Sequence, residues 1–183
     1  MSQELHDGLA PNLAGIAMLL RSDAPASLAA EQLDEVMQTL RRLMSGLDPS
    51  PRLALGMDVA LDELSREVLE LHGLRLELDL QLNGPLEGDV AAQLHRIAQE
   101  AVRNAARHAR VEEARLKLSV QAEAFRLSVE DQGQGFESEA RLNQGMGLRI
   151  MASRAQRIGA ELTIESRPGV GTTIVCTNQG VSA

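Results

Sequence analysis

Hydrophobic residues recur at helical spacing in two segments at the start of the chain. The apolar positions are Leu9, Leu13, Ile16 and Leu20 in the first segment, and Leu33, Val36, Met37, Leu40, Leu43, Met44 and Leu47 in the second. This spacing predicts two amphipathic helices that form an antiparallel hairpin. Because one hairpin is too thin to bury its own apolar faces, we expect two copies to form a four-helix bundle and the chain to be a homodimer.

The pattern changes near residue 50, where Gly46, Pro49 and Pro51 interrupt the helical spacing. Clustered glycine and proline indicate a break, so we predict one domain over residues 1–50 and another over residues 51–183. In the second domain we expect helices over 57–72, 89–109 and 147–158, and strands over 74–82, 114–120, 125–131, 160–166 and 172–178. Strand hairpins separated by helices predict an α+β fold, a two-layer α/β sandwich with a mixed sheet.

Composition narrows the class of protein. The chain has 183 residues, a formal net charge of -8, two Phe, no Trp and no Tyr. This charge argues against a general binder of nucleic acids or anionic membranes, and the missing aromatics remove base-stacking platforms. Cys176 is the only cysteine, which excludes an intramolecular disulfide and suits a reducing compartment. No apolar run is long enough for a membrane span, so we expect a cytoplasmic protein or the cytoplasmic part of a larger or membrane-anchored one.

Three polar residues stand in a row on the helix predicted over 89–109. Glu100, Asn104 and His108 are spaced i, i+4 and i+8, which places them beside the apolar stripe of that helix. A carboxylate, an amide and an imidazole in this arrangement can face a ligand. A solvated helix face is the ordinary alternative.

Glycines follow in two further motifs. In VEDQGQGF a predicted strand ends at Asp131, and Gly133 and Gly135 come directly after it. In NQGMGLRIM, Gly145 and Gly147 lead into a predicted helix, whose N-terminal amides favour an anion such as phosphate. A fourth motif, GVGTT over 169–173, places hydroxyl groups at the start of a strand. Taken singly, each of these motifs also fits an ordinary turn or hinge.

The order of the four motifs is more specific than any one of them. Glu-x-x-x-Asn on a helix, Asp-x-Gly-x-Gly after a strand, Gly-x-Gly before a helix and Gly-Thr before a strand together resemble the ATP-binding domain of sensor histidine kinases. The same fold serves gyrase-type and chaperone-type ATPases. The resemblance covers residues 51–178 and is distinct from the P-loop, whose signature does not occur here.

The resemblance implies ATP and Mg²⁺ as cofactors and gives each motif a role. Asn104 resembles the residue that holds Mg²⁺ against the phosphates. Glu100, one turn earlier, would support the metal or a water in catalysis. His108 lies where a polar or basic side chain often faces phosphate.

The later motifs would bind the rest of the nucleotide. Asp131 matches the carboxylate that recognises the adenine amino group. Thr172 resembles the hydroxyl that assists this carboxylate, although Thr173 is a close competitor. Four glycines would line the nucleotide, with Gly133 and Gly135 against the base and Gly145 and Gly147 beside the phosphates.

The opening segment ELHDGLAP resembles the phosphoacceptor helix of the kinase subgroup that carries a His-Asp pair. His6 would be the acceptor, because a neutral imidazole is a nucleophile near pH 7. Asp7 would orient the ring and take its proton. A packed interface histidine is the alternative, since His6 also continues the apolar seam three residues before Leu9.

These features predict a histidine kinase that transfers the γ-phosphoryl group of ATP to His6 and then to an aspartate on a response-regulator receiver domain. We expect no direct binding of nucleic acid and no membrane span in this chain. Two alternatives remain at this point. One is a catalytically silent ATP-binding dimer that serves as a scaffold, and the other is a related protein-serine kinase or ATPase on the same fold.

Overall fold

The computed structural model describes residues 52–86, 88–137 and 146–178. The predicted helical hairpin with His6 and Asp7 lies outside the described residues, and so does Gly145. Among the helices that the model describes, none is long and apolar enough to cross a membrane.

The described chain contains three helices and five strands. In chain order they are α1 (Met57–His72), β1 (Arg75–Asn83), α2 (Gly88–Asn104), β2 (Glu113–Gln121), β3 (Ala124–Asp131), α3 (Met146–Arg157), β4 (Glu161–Arg167) and β5 (Gly171–Thr177), with a 3₁₀ turn at Leu53–Leu55 and a π-helical turn at Ala105–Ala109. Every element predicted for residues 51–183 occurs, and all except α2 have both ends within one residue of the predicted bounds.

All five strands belong to one sheet, in the order β1-β2-β3-β5-β4. The pair β1–β2 is parallel and the other three pairs are antiparallel. Helix α2 connects the two parallel strands, as a βαβ crossover requires. The predicted α+β fold with a mixed sheet is therefore confirmed for this part of the chain.

The alternation of side chains decides which face of the sheet is covered. In β2, Ala114, Leu116, Leu118 and Val120 are buried, whereas the residues between them are exposed or half-buried. The helices pack on this buried face, which we call the inner face, and an aliphatic core fills the space between the layers. The opposite face is called the outer face below.

The helix expected over 89–109 differs from the prediction in its last turn. It is α-helical only to Asn104 and continues as a wider π-turn over Ala105–Ala109, which ends at Arg110 with a left-handed backbone (φ 59°). A π-turn rotates by less per residue than an α-helix, so His108 is not in the straight row predicted with Glu100 and Asn104. Such turns are frequent at functional sites, and this one lies directly after Asn104.

Candidate functional site

Asp131 is the last residue of β3 and lies on the inner face of the sheet. Its strand partners are Ala114 on one side and Thr172 on the other. The side chain of Val129, two residues earlier, is buried in the core, whereas that of Asp131 is half-buried. The end of β3 therefore places a carboxylate where the aliphatic core gives way to polar groups.

Burial raises the pKa of the Asp131 carboxyl above its usual value. Two backbone N–H groups oppose this shift, those of Gly133 and Thr172, because they hydrogen-bond to the carboxylate and favour its charged form. The bond from Gly133 to Oδ1 measures 2.9 Å. Asp131 is thus held in a fixed orientation by the backbone on both sides.

The loop after Asp131 packs against the π-turn that follows α2. A side chain at Gly133 would overlap the carbonyl oxygen of Ala109, so only glycine allows this approach. The backbone N–H of Gln134 donates to the same carbonyl at 2.9 Å, and its side-chain Nε2 donates to the carbonyl of His108 at 2.6 Å. These contacts fix the end of the helix that carries Asn104 beside the loop that follows Asp131.

Ser166 holds the other side of this loop and was not identified from the sequence. Its buried hydroxyl accepts from the backbone N–H of Phe136 at 2.9 Å and lies 3.1 Å from the carbonyl oxygen of Gly171 and 3.0 Å from Thr172 Oγ1. A signal was present, because Ser166 continues the inner-face positions of Leu162 and Ile164 in β4. A serine in that series is a buried polar group and needs partners.

The register separates the two threonines that the sequence left as competitors. Thr172 is paired with Asp131 and shares its inner face, whereas Thr173 is paired with Glu130 and lies on the outer face. The Thr172 hydroxyl contacts Ser166, and it is the backbone of Thr172 that bonds to Asp131. Gly135 lies beside the backbone of Arg167, where a side chain would overlap a carbonyl oxygen.

Glu100 and Asn104 are half-buried on α2, and His108 is exposed on the π-turn. A side chain at Gly147 would overlap a carboxylate oxygen of Glu100, so the first turn of α3 lies directly on that side chain. The predicted site residues therefore form two groups. Asp131, Gly133, Gly135 and Thr172 surround the end of β3, while Glu100 and Gly147 meet between α2 and α3.

A cavity with a volume of about 1160 Å³ also borders the end of β3, but most of the residues that line it lie on the outer face. We call its lining the concave surface. Its charged side chains pair across strands, Arg75 with Glu113 and Arg115 with Glu77, the latter at 2.8 Å. Neither Glu100 nor Asn104 lines this surface. We therefore assign the candidate site to the inner face, where the loop after Asp131 contacts the π-turn that follows α2.

Residues 89–179 match the model of a protein family described as histidine kinase-, DNA gyrase B-, and HSP90-like ATPase. The match begins at the first turn of α2 and ends just after β5. It therefore includes every candidate nucleotide-binding residue named above.

Relatives that align with nearly the whole chain are sensor kinases. The chain is 31% identical to the sensor histidine kinase MctS of Rhizobium johnstonii over 190 residues, which cover 95% of this chain and 41% of that protein. It is 28% identical to the sensor histidine kinase LiaS of Bacillus subtilis over 186 residues, covering 95% and 51% of the two chains. The chain thus spans about half the length of these relatives.

Solved structures show the same fold. The histidine kinase domain of a blue-light activated histidine kinase from Erythrobacter litoralis aligns with a TM-score of 0.59 at 22% identity, covering 92% of this chain and 93% of that one. The Acinetobacter baumannii histidine kinase AdeS aligns with a TM-score of 0.60 at 13% identity, covering 94% and 96%.

Proposed function

We propose, from the premise that residues 89–179 form a histidine kinase-type ATP-binding core, that this chain is the transmitter part of a two-component sensor histidine kinase. The observation that carries the proposal is the state of Asp131. Asp131 is a half-buried carboxylate whose pKa is raised by burial and which the N–H groups of Gly133 and Thr172 hold in one orientation, a combination that is common at functional sites. A carboxylate has about four lone-pair sites, so Asp131 can accept a further bond from the amino group of adenine, which is a hydrogen-bond donor.

The proposed reaction has two steps. In the first, a ring nitrogen of His6 attacks the γ-phosphorus of ATP, a P–N bond forms, and the bond between that phosphorus and the bridging oxygen breaks to release ADP. Asp7 accepts the proton that the imidazole loses, and Glu100 orders the groups around the phosphoryl transfer. In the second step the phosphoryl group passes from His6 to an aspartate of a response regulator, which would be the protein partner.

Two residues of α2 are suitable ligands for a Mg²⁺ ion that is bound mainly by the phosphates of the nucleotide. Asn104 and Glu100 offer an amide oxygen and a carboxylate one helical turn apart, and Mg²⁺ is commonly bound through one or two such groups together with substrate phosphates. Within the described ranges there is no group of three or more His, Cys, Asp or Glu residues that could hold a metal alone. When bound, Mg²⁺ would neutralise charge on the phosphoryl oxygens.

The remaining roles follow the order of the motifs. His108, on the exposed π-turn, and Gly145 and Gly147, before and within the first turn of α3, would lie beside the phosphates. Gly133 and Gly135 would approach the adenine. Residues 1–50 would form the dimerisation and phosphoacceptor domain, and residues 51–183 the catalytic domain.

Labelled ATP tests the function directly. We expect incubation of the chain with γ-labelled ATP and Mg²⁺ to give a phosphoprotein whose label is lost in acid and kept in alkali, as for phosphohistidine. The His6→Gln variant should bind an ATP analogue normally and acquire no label. Acid-stable label would indicate a serine kinase, and binding of nucleotide without any label in the native chain would indicate the scaffold; either result contradicts the proposal.

A further inference from the structure

Helices α2 and α3 meet along two matched faces. On α2 the face consists of Gln93, Ile97 and Glu100, and on α3 it consists of Gly147, Met151 and Arg154. The helices run in opposite directions along this contact, because Gly147 lies on Glu100 while Arg154 reaches Gln93. The end residues of each face are seven positions apart, a rise of about 10 Å, so the two end contacts are in register.

A hydrogen-bonded pair closes one end of this contact. Arg154 Nη1 donates to Gln93 Oε1 at 2.9 Å, and Gln93 is almost completely buried, with 7% of its surface exposed. Gln93 Nε2 in turn donates to Asp89 Oδ1 at 3.2 Å. A buried amide with both ends bonded has one favourable orientation, so it holds the guanidinium at a defined height along α2.

The other end of the contact has no tolerance for displacement. Gly147 lies so close to the Glu100 carboxylate that no side chain fits between them. Ile97 and Met151, the middle residues of the two faces, are both fully buried. If α3 slid along α2 by a fraction of a turn, the Glu100 side chain would have to leave its position or lose its contact with the helix.

We propose that Arg154 and Gln93 form a clamp that fixes the register of α3 on α2, and that Arg154 thereby acts as a positioning residue for Glu100. The inference rests on the proposed function insofar as Glu100 takes part in phosphoryl transfer. Electrostatics agrees with the geometry: burial lowers the pKa of the Arg154 guanidinium, and the charge of Glu100 opposes that shift. The guanidinium therefore stands in the field of the carboxylate that its helix positions.

The test compares two arginines on the same helix. Arg154→Gln removes the clamp, whereas Arg157→Gln removes an exposed pair with Asp89, whose charged atoms are 3.6 Å apart, and leaves the bond between Arg154 and Gln93 in place. We expect Arg154→Gln to lower the kcat of autophosphorylation by about 10- to 100-fold, because small misplacements of reacting groups have effects of that size. The KM for ATP and the affinity for a fluorescent ATP analogue should change by less than about threefold, because no group of the adenine site moves.

A double-mutant cycle separates positioning from a general loss of stability. In the Glu100→Gln background, Arg154→Gln should have little further effect on kcat, since both changes act on the same group. Arg154→Lys, which keeps the charge but not the fork of donors, should recover part of the rate. Equal losses from Arg154→Gln and Arg157→Gln, or full additivity with Glu100→Gln, would overturn the clamp.

A readout without catalysis keeps the inference distinct from the proposed function. Methyl NMR of ¹³C-labelled methionine reports Met151, which lies between the two end contacts. Arg154→Gln and Gln93→Leu should shift the same Met151 resonance, and Arg157→Gln should leave it in place. Unchanged Met151 signals in the two clamp variants would refute the clamp, whereas shifted signals in a chain that never acquires label would refute only the proposed function.

Discussion

The interface between α1 and α2 and the end of β3 each bury one titratable side chain, and they do so with opposite consequences. His95, on α2, is 2% exposed, and burial lowers the pKa of its imidazole. Its hydrogen bond with the backbone of Ala60 is one that a neutral imidazole can make. Burial raises the pKa of Asp131, yet its two backbone N–H partners favour the charged carboxylate.

This is the difference expected between a residue that stabilises the fold and one that takes part in the proposed site. Neutral His95 satisfies its surroundings, so nothing is gained by opening them. Charged Asp131 retains a conflict between burial and ionisation that a ligand with a hydrogen-bond donor can relieve. Residues in such conflict concentrate at functional sites and often lower the stability of the protein that contains them.

The largest effect that tests the comparison is expected from His95→Ala. The change leaves a cavity between α1 and α2 and removes the partner of the Ala60 carbonyl, so the free energy of unfolding should fall by about 2–4 kcal/mol. Urea titrations of the native chain and the variant measure this. At a temperature where the variant is folded, its affinity for an ATP analogue should equal that of the native chain; a selective loss of affinity would place His95 in the site.

The same variant, His95→Ala, tests how the stability of the protein depends on pH. An unfolded histidine binds a proton near pH 6.5, whereas buried His95 binds one only at lower pH. Below about pH 6.5 the unfolded state therefore carries more protons, and this contribution to the stability of the native chain should be lost as the pH falls. The free energy of unfolding of His95→Ala should decrease less steeply as the pH falls. An identical slope in the two proteins would contradict the assignment of a neutral, buried imidazole.

Asp131→Asn should do the opposite of His95→Ala and affect nucleotide affinity rather than stability. In the proposed site the variant would lose a charge-assisted hydrogen bond to the adenine amino group, so affinity for an ATP analogue should weaken by about 1.5–3 kcal/mol. Relief of the buried charge is opposed by weaker bonding to the N–H groups of Gly133 and Thr172, so the melting temperature should change little. Titration and a thermal melt of one preparation give both values. A large fall in melting temperature with unchanged affinity would return Asp131 to a structural role.

Gly133→Ala tests the contact between the two halves of the site. The added methyl group would overlap the carbonyl of Ala109, and the loop or the π-turn must shift at a cost of about 1–2 kcal/mol in the free energy of unfolding. We also expect weaker nucleotide binding, because Gln134 and Asp131 move with the loop. Gly159→Ala, at a turn with open space around it but a positive φ of 64°, provides a control for backbone strain away from the site.

Much of this organisation could be predicted from the sequence because it follows from periodicity. Alternation in residues such as Leu116 and Leu118 identifies the strands and their inner face. The order of Glu100, Asn104 and Asp131 predicts an ATP-binding domain, and the family match over residues 89–179 agrees with that prediction. Both signals are local. They survive in a single sequence because each strand or helix must present its own apolar face.

Features that join distant segments could not be read in the same way. The contact of Gly133 with Ala109, the bond of Ser166 with Phe136 and the pair of Arg154 with Gln93 each link residues far apart in sequence. The π-turn after Asn104 was also missed, since its residues, Ala105–Ala109, continue an ordinary helical pattern. Only the packed structure shows which polar residues of the inner layer have partners.

The smallest predicted effect separates Thr172 from Thr173. Thr172→Val keeps the shape of the side chain and removes the hydroxyl that lies 3.0 Å from Ser166 Oγ, so the free energy of unfolding should fall by about 0.5–1.5 kcal/mol. Thr173→Val is the matched control on the outer face, and its effect should stay within about 0.5 kcal/mol. Denaturant titrations of both variants decide between them.

The same two variants, Thr172→Val and Thr173→Val, also test the proposed nucleotide site. Because the backbone of Thr172, rather than its hydroxyl, bonds to Asp131, Thr172→Val should weaken binding of an ATP analogue only about two- to threefold, a fraction of the loss in Asp131→Asn. If Thr172→Val matched that loss, the hydroxyl would contact the nucleotide directly. If Thr173→Val had the larger effect, the site would have to include the outer face of the sheet, and the assignment of Asp131 and α2 to a common inner-face pocket would be wrong.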